Sequence, residues 1–143
     1  MLSNSSKYAI KAVLYLALYS SETSKIMVKD ISTSIEVPQA YLAKLLQELS
    51  RHNIISSTKG PKGGFYLNEK NRDGSLINIV HVIDGQKRIT SCLLGIKDCD
   101  EERPCPLHNL VAPSRSAFLK SLENKTIGNL SIDIQKQASF LPF

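Results

Sequence analysis

Residues 59 to 64 read Lys59-Gly60-Pro61-Lys62-Gly63-Gly64, three glycines and a proline in six positions. Glycine weakens helices and strands through its backbone entropy, and proline lacks the N–H that both need, so little but a turn is possible there. On either side lie Ile54-Ile55-Ser56-Ser57-Thr58 and Phe65-Tyr66-Leu67, two short β-leaning runs. Two such runs around a Gly/Pro-rich tip predict a β-hairpin.

What precedes this hairpin sharpens its meaning. Residues 28 to 34 read as a short helix, and Ile35-Glu36-Val37 turn the chain. Pro38 then opens a second helix that runs to about His52, since its fixed φ suits a first helical turn. Leu42, Leu45, Leu46 and Leu49 form the buried stripe of that helix, while Gln39, Ala40, Ala43, Lys44, Gln47 and Arg51 face outward. Two helices joined by a tight turn describe a helix-turn-helix. A helix-turn-helix followed directly by a hairpin is a winged helix, and the expected fold class is mainly α with one small β-hairpin.

The rest of the chain reads as helices around one irregular stretch. Over residues 6 to 20, Ile10, Val13, Leu14, Ala17 and Leu18 make one apolar stripe, and Tyr8, Ala12, Tyr15 and Tyr19 make another. A helix apolar on two faces is buried on both, either between its own domain and a second chain or at the centre of one chain. Residues 76 to 85 form a helix stopped at Gly85, with His81 read as a packed or half-exposed side chain. Residues 86 to 108 lack periodicity and hold every cysteine. Leu107, Leu110, Val111, Phe118, Leu119 and Leu122 suggest a further helix, which Pro113 should kink or start afresh. Thr126 is placed to cap a last short helix, Ile127 to about Gln135.

Charge divides the chain. Residues 1 to 72 hold ten Lys and Arg against five Asp and Glu, whereas residues 73 to 143 hold eight of each. All of the net +5 therefore lies in the first half, which suggests a nucleic-acid-binding module followed by a partner or sensor module. No apolar run reaches the ~18 residues of a membrane span, and the N-terminus lacks the charged segment and cleavage site of a signal peptide. A secreted or membrane protein is not expected; a cytoplasmic one is. Three cysteines, an odd number, argue against a disulfide framework in that setting.

The outward face of the 38–52 helix offers side chains that match base edges. Gln39 and Gln47 can pair twice with adenine, and Lys44 and Arg51 can reach guanine N7 and O6. Lys59 and Lys62 ride on a hairpin tip thin enough for a minor groove or a phosphate track.

Cys92-x6-Cys99-x5-Cys105-x2-His108 puts three thiols and an imidazole in one loop. Such a set closes a zinc site or ligates an iron–sulfur cluster. Spacings of six and five suit a loop wrapped around an object larger than one ion, and Gly95, Pro104 and Pro106 help hold an irregular path. Zinc ligation, or bare thiols acting as sensors, stays open. An enzymatic use, with Cys105 as nucleophile and His108 as base, lacks an oxyanion site and an orienting group.

The chain resembles the winged-helix regulators typified by IscR and NsrR. The resemblance is carried by Ser6-Lys7-Tyr8-Ala9, Tyr41-Leu42, the run Ser56 to Phe65 with its Gly-Pro-x-Gly-Gly wing, and Cys92, Cys99, Cys105 and His108. It implies a homodimeric transcription factor, not an enzyme, that binds a pseudo-palindromic operator in double-stranded DNA. Residues 38–52 would be its recognition helix and 59–64 its wing, with Gln39, Ala40, Tyr41, Ala43, Lys44, Gln47, Arg51, Lys59, Gly60 and Lys62 on the DNA. The implied division is a DNA-binding domain at 1–85, a sensor loop at 86–108, and a dimerisation helix with C-terminal segment at 109–143. IscR-like members hold a [2Fe–2S] cluster on three cysteines and a histidine. Others hold a [4Fe–4S] cluster with an N-terminal aspartate from the partner chain. Ser6-Lys7-Tyr8 contains no acid, which favours the [2Fe–2S] form on Cys92, Cys99, Cys105 and His108. Ala40, Ala43 and Lys44 depart from the IscR pattern, so no operator sequence is implied.

Overall fold

The computed structural model describes residues 2–96, 100–137 and 140–141. The first helix, α1 (Asn4–Tyr19), runs through its centre. It packs against α2 (Val28–Ile35), α3 (Gln39–Arg51), α5 (Leu76–Asp84) and α8 (Ile127–Gln135). Ala9, Ala12, Val13 and Leu16 are fully enclosed. The two alanines let neighbouring backbones come close, and the larger pair fill the space between them. Within one chain α1 is central, as one of the two readings of its doubly apolar surface has it. Tyr8 and Tyr15 are half-buried, and Tyr19 alone of the second stripe is exposed.

Both ends of α1 are satisfied by side chains. Ser3 caps the start, its hydroxyl accepting from the Ser6 N–H at 3.0 Å. At the other end the Arg72 guanidinium donates to the carbonyls of Ala17 and Ser20 at 2.8 and 3.2 Å. These are carbonyls that a helix terminus otherwise leaves to water.

The helix-turn-helix is α2 and α3 joined by Glu36-Val37-Pro38. Glu36 adopts a left-handed conformation (φ 57°, ψ 49°) that ends α2, and the Val37 N–H returns to the Ser32 carbonyl at 3.1 Å. Pro38 sits one position earlier than predicted, as the cap of α3 rather than its first residue. Leu42, Leu45, Leu46 and Leu49 are buried as the periodicity required.

The hairpin pairs β1 (Ser56–Thr58) with β2 (Gly64–Tyr66) in antiparallel register, Ser57 opposite Phe65. On its far side β2 is held again: Phe65 and Ile26 exchange backbone hydrogen bonds of 2.8 and 2.9 Å. Gly64, at φ +148°, lies so close to this segment that a Cβ there would fall 2.7 Å from the Ile26 oxygen. A Cβ at Gly63 would fall 2.3 Å from the Thr58 oxygen. The base of the hairpin rests on buried Asn71, in the short helix α4 (Glu69–Arg72). Its amide accepts from Ser56 Oγ at 2.8 Å and from the Asn68 N–H at 2.9 Å, and donates to the Asn53 carbonyl at 3.2 Å. A buried amide so fully paired fixes the geometry around it.

Beyond α5, Gly85 (φ +81°) lets the chain bend at once into α6 (Gln86–Thr90), a helix that the sequence reading left as irregular loop. It is anchored by one buried side chain, Ile89. The helix α7 (His108–Asn124) runs unbroken through Pro113. Pro113 and Asn109 are both exposed, so water can take the carbonyl that proline leaves unpaired. Thr126 caps α8, its hydroxyl accepting from the Asn129 N–H at 3.0 Å, as expected. Among the described residues no helix is long and apolar enough to cross a membrane.

Candidate nucleic-acid interface and thiol site

The polar face of α3 and the hairpin tip are both open. Gln39, Ala40, Tyr41, Lys44, Gln47 and Arg51 are exposed on α3, and Lys59, Gly60 and Lys62 are exposed on the tip. Ala43 is the exception to the outward set, being half-buried. It lies one residue from Leu42, and a side chain of one carbon on the shoulder of a buried stripe is partly covered by its neighbours.

Two of these residues have partners already. Arg51 Nη1 donates to Glu48 at 2.9 Å on an exposed face, which offsets part of its charge. The Tyr41 ring meets that of Tyr8 edge-on at 6.0 Å, and its hydroxyl shares a hydrogen bond with the Ser5 hydroxyl. These contacts fix the first turn of α3 to the N-terminal turn of α1. A residue not singled out in the sequence joins the same basic surface: Lys25 Nζ lies 5.5 Å from the Tyr66 ring centroid. Only the charge count of the first half hinted at it, because Lys25 falls between predicted elements.

The N-terminus of α1 is also tied to the far end of α5. Ser3 donates to the Asp84 carboxylate from its N–H, at 3.2 Å, and from its hydroxyl. Burial works against the charge of Asp84. The two bonds from Ser3 and the nearby Arg88 guanidinium outweigh it and hold the carboxyl below its ordinary value. Asp84 and Arg88 stand four residues apart at the junction with α6, so the cysteine-bearing segment begins where α1 and α5 are tied together.

In that segment Cys92 is buried and Cys105 half-buried, and both are free thiols. Cys92 Sγ donates to Cys105 Sγ at 3.6 Å. The Leu94 N–H, aimed at Cys92 Sγ, is the largest influence on that thiol. Burial opposes it, while the Cys105 thiol, the Ile96 N–H and the Arg115 guanidinium add to it, and the thiol is pushed below its ordinary pKa. Gly95, at φ +68°, lies between the Leu94 and Ile96 N–H groups that turn toward this one sulfur. The Gly95 N–H itself bonds the Cys92 carbonyl at 3.0 Å.

His108 is the first residue of α7, and its N–H reaches the Cys105 carbonyl at 3.0 Å, so it follows Cys105 by one turn. The predicted ligand Cys99 lies outside the described residues. Among the described residues, no group of three or more His, Cys, Asp or Glu side chains converges as a metal site would require. The thiol pair nevertheless fits a shared metal. Two thiolates ~2.3 Å from one tetrahedral ion stand ~3.8 Å apart, close to the separation of Cys92 and Cys105.

Comparison with known proteins agrees with the fold. Residues 2–133 match the Rrf2 family, described as an iron-dependent transcriptional regulator. The HTH-type transcriptional regulator IscR of Vibrio vulnificus (strain YJ016) is 30% identical over 132 residues, covering 92% of this chain and 77% of its own. Among solved structures, CymR, the global cysteine regulator of B. subtilis, superposes with a TM-score of 0.74 at 21% identity, over 92% of this chain and 95% of that one. T. potens IscR gives 0.72 at 17% identity, over 99% and 93%. These likenesses bear out the winged-helix fold expected from the helix-turn-helix and the hairpin.

Proposed function

Because the chain belongs to the Rrf2 family of DNA-binding transcriptional regulators, we propose that it is a homodimeric regulator sensing iron–sulfur, redox or nitric-oxide status through a [2Fe–2S] cluster. Cys92, Cys99, Cys105 and His108 would hold the cluster. When bound, it supplies a centre that oxidants and nitric oxide alter. The observation that carries this reading is the Cys92–Cys105 pair, 3.6 Å apart with backbone N–H groups turned onto one sulfur. That arrangement stabilises a thiolate ligand, and the donor set of the full loop matches the cluster type.

In this reading residues 1–85 bind DNA, 86–108 sense, and 109–143 dimerise and close the fold. The protein works in the cytoplasm. Only Leu122 of α7 is buried, and Leu110 is 74% exposed, as suits a helix that packs on a second copy. A two-fold dimer presents two α3 helices to a pseudo-palindromic operator. Gln39, Ala40, Tyr41, Ala43, Lys44, Gln47 and Arg51 meet the major groove, and Lys59, Gly60 and Lys62 meet the flanking groove or phosphates. The Asp84–Ser3 bonds and the Ser5–Tyr41 bond give the sensor segment a physical connection to the first turn of α3.

A second reading keeps the DNA-binding regulator but leaves out the cluster. The same sulfur separation suits two thiolates on zinc, or two thiols poised to oxidise. Anaerobic purification separates the readings: a brown protein carrying iron and sulfide supports the cluster, and a colourless one supports zinc or bare thiols. Cys→Ser at position 92, 99 or 105 should abolish the visible absorption. His108→Ala should weaken it less, since solvent or an added thiol fills one vacant iron position. Full colour in any of the three serine variants overturns the assignment.

A further inference from the structure

Beside the thiol pair lies a cavity of about 320 Å³, open to solvent and lined in part by Arg88, Ser91, Cys92, Val111 and Arg115. Its walls come from α6, the turn after it and α7, and the two arginines line it together with the sulfur-bearing residue. Arg115 Nη1 is anchored on the Thr90 carbonyl at 3.3 Å, which fixes the guanidinium within this pocket. Among the described residues no carboxylate lines the cavity. Cys92 is 8% exposed overall and is one of the residues that line this cavity.

We propose that this cavity is a binding site for low-molecular-weight disulfides bearing carboxylates, and that Cys92 exchanges with them. Guanidinium groups pair with carboxylates in a planar, directed way, so two of them beside one thiol select a carboxylate-bearing partner and orient its sulfur. The site takes the same thiols as the proposed cluster but needs no iron. Cys92 gives its proton to water, and Sγ attacks one sulfur of the disulfide. The S–S bond breaks, and the departing thiolate takes up a proton. Cys105 Sγ, 3.6 Å away, then attacks Cys92 Sγ in the same manner and expels the second small thiol. One external disulfide is reduced to two thiols, and the Cys92–Cys105 pair is oxidised to one disulfide.

The test uses the full chain, treated with a chelator, in a Cys99→Ser background so that only the pair reacts. Stopped-flow rates are measured with dithiobis(nitrobenzoate), a dianion, and with dithiodipyridine, which is neutral. Each is divided by the rate with the same chain unfolded in urea. The folded protein should favour the dianion by about tenfold or more, and high salt should remove the preference. Arg88→Gln and Arg115→Gln should each lower it. With oxidised glutathione, Cys105→Ser should trap the mixed disulfide on Cys92, located by peptide mass. Equal folded and unfolded ratios, a preference unmoved by salt, or faster thiolation of Cys105 in a Cys92→Ser chain than of Cys92 in the Cys105→Ser chain would overturn the proposal. Should a variant fail to fold, the salt dependence of the parent chain decides alone. The visible absorption of iron-loaded protein is scored separately, so failure of the cluster leaves this site standing and the reverse also holds.

Discussion

The two halves of the molecule are built to different standards of closure. Between α1 and α5 a closed core forms: Leu16, Ile31, Leu42, Leu46, Leu49, Ile55, Leu67, Ile79 and Val80 are all less than 2% exposed. Between α6 and α7 the proportion reverses. Leu93, Leu94, Ile96 and Leu110 are 50 to 74% exposed, and Ile89 and Leu122 anchor the segment to the core. The first region has its shape from its own core. The second leaves apolar surface open beside paired thiols. Under the proposed function that division has a use, since a reading head must keep its geometry while a sensor must change state.

The sharpest way to break the comparison is to make one substitution in both regions. Leu46→Ala should lower unfolding free energy by ~2–5 kcal/mol, because it leaves a cavity among fixed neighbours. Leu110→Ala should change monomer stability by less than ~0.5 kcal/mol, while weakening self-association in sedimentation. Equal losses in denaturant melts would mean that α7 is part of the same core.

A smaller effect separates the parts of the reading head. Gln39→Ala and Lys44→Ala should shift which operator bases are preferred, by ~1–3 kcal/mol per lost contact, in binding assays across a site library. Lys59→Ala and Lys62→Ala should lower affinity for all sequences alike and flatten its salt dependence. An unchanged preference after the α3 substitutions would place recognition on another face.

The smallest effect concerns the tie between the regions. The Asp84 carboxyl sits below its ordinary value, so the contact contributes in full above the unfolded pKa of ~3.9. That contribution disappears as pH falls through the lower, folded value. Asp84→Asn should therefore cost no more than ~0.5 kcal/mol at neutral pH, given how exposed the carboxyl is. Thermal melts of variant and parent should converge in strong acid. A gap that persists there would assign the cost to packing instead of charge.

How far the sequence anticipated all this follows from the range of each signal. The helix-turn-helix, the hairpin, the Gly85 stop and the Thr126 cap rest on residues adjacent in the chain, and each stands where expected. α6 was missed because five residues and one buried isoleucine make no period. α4 was missed because its capping box uses Asn68 and Asn71 where glutamate or glutamine is usual at the second position. The Ile26 bridge to β2, the Arg72 cap on α1 and the Asp84–Ser3 tie join residues 39 to 81 positions apart. No local pattern announces such pairs. The cysteines and His108 stood out in the sequence as neighbours in one loop, while the Cys92–Cys105 sulfur separation and the arginine-lined cavity depend on how α7 returns against α6.

The close approach of Gly64 to Ile26 has an effect on how such a chain can diversify. At positions 63 and 64 any side chain would collide with backbone that cannot retreat, so inherited variation there is eliminated before it can be tried on DNA. A few residues away, Lys59 and Lys62 stand in open solvent, where exchanges leave the frame intact. The wing thus divides its positions into a rigid mount and a replaceable tip. Under the proposed function, the tip can change how tightly DNA is held without disturbing the frame.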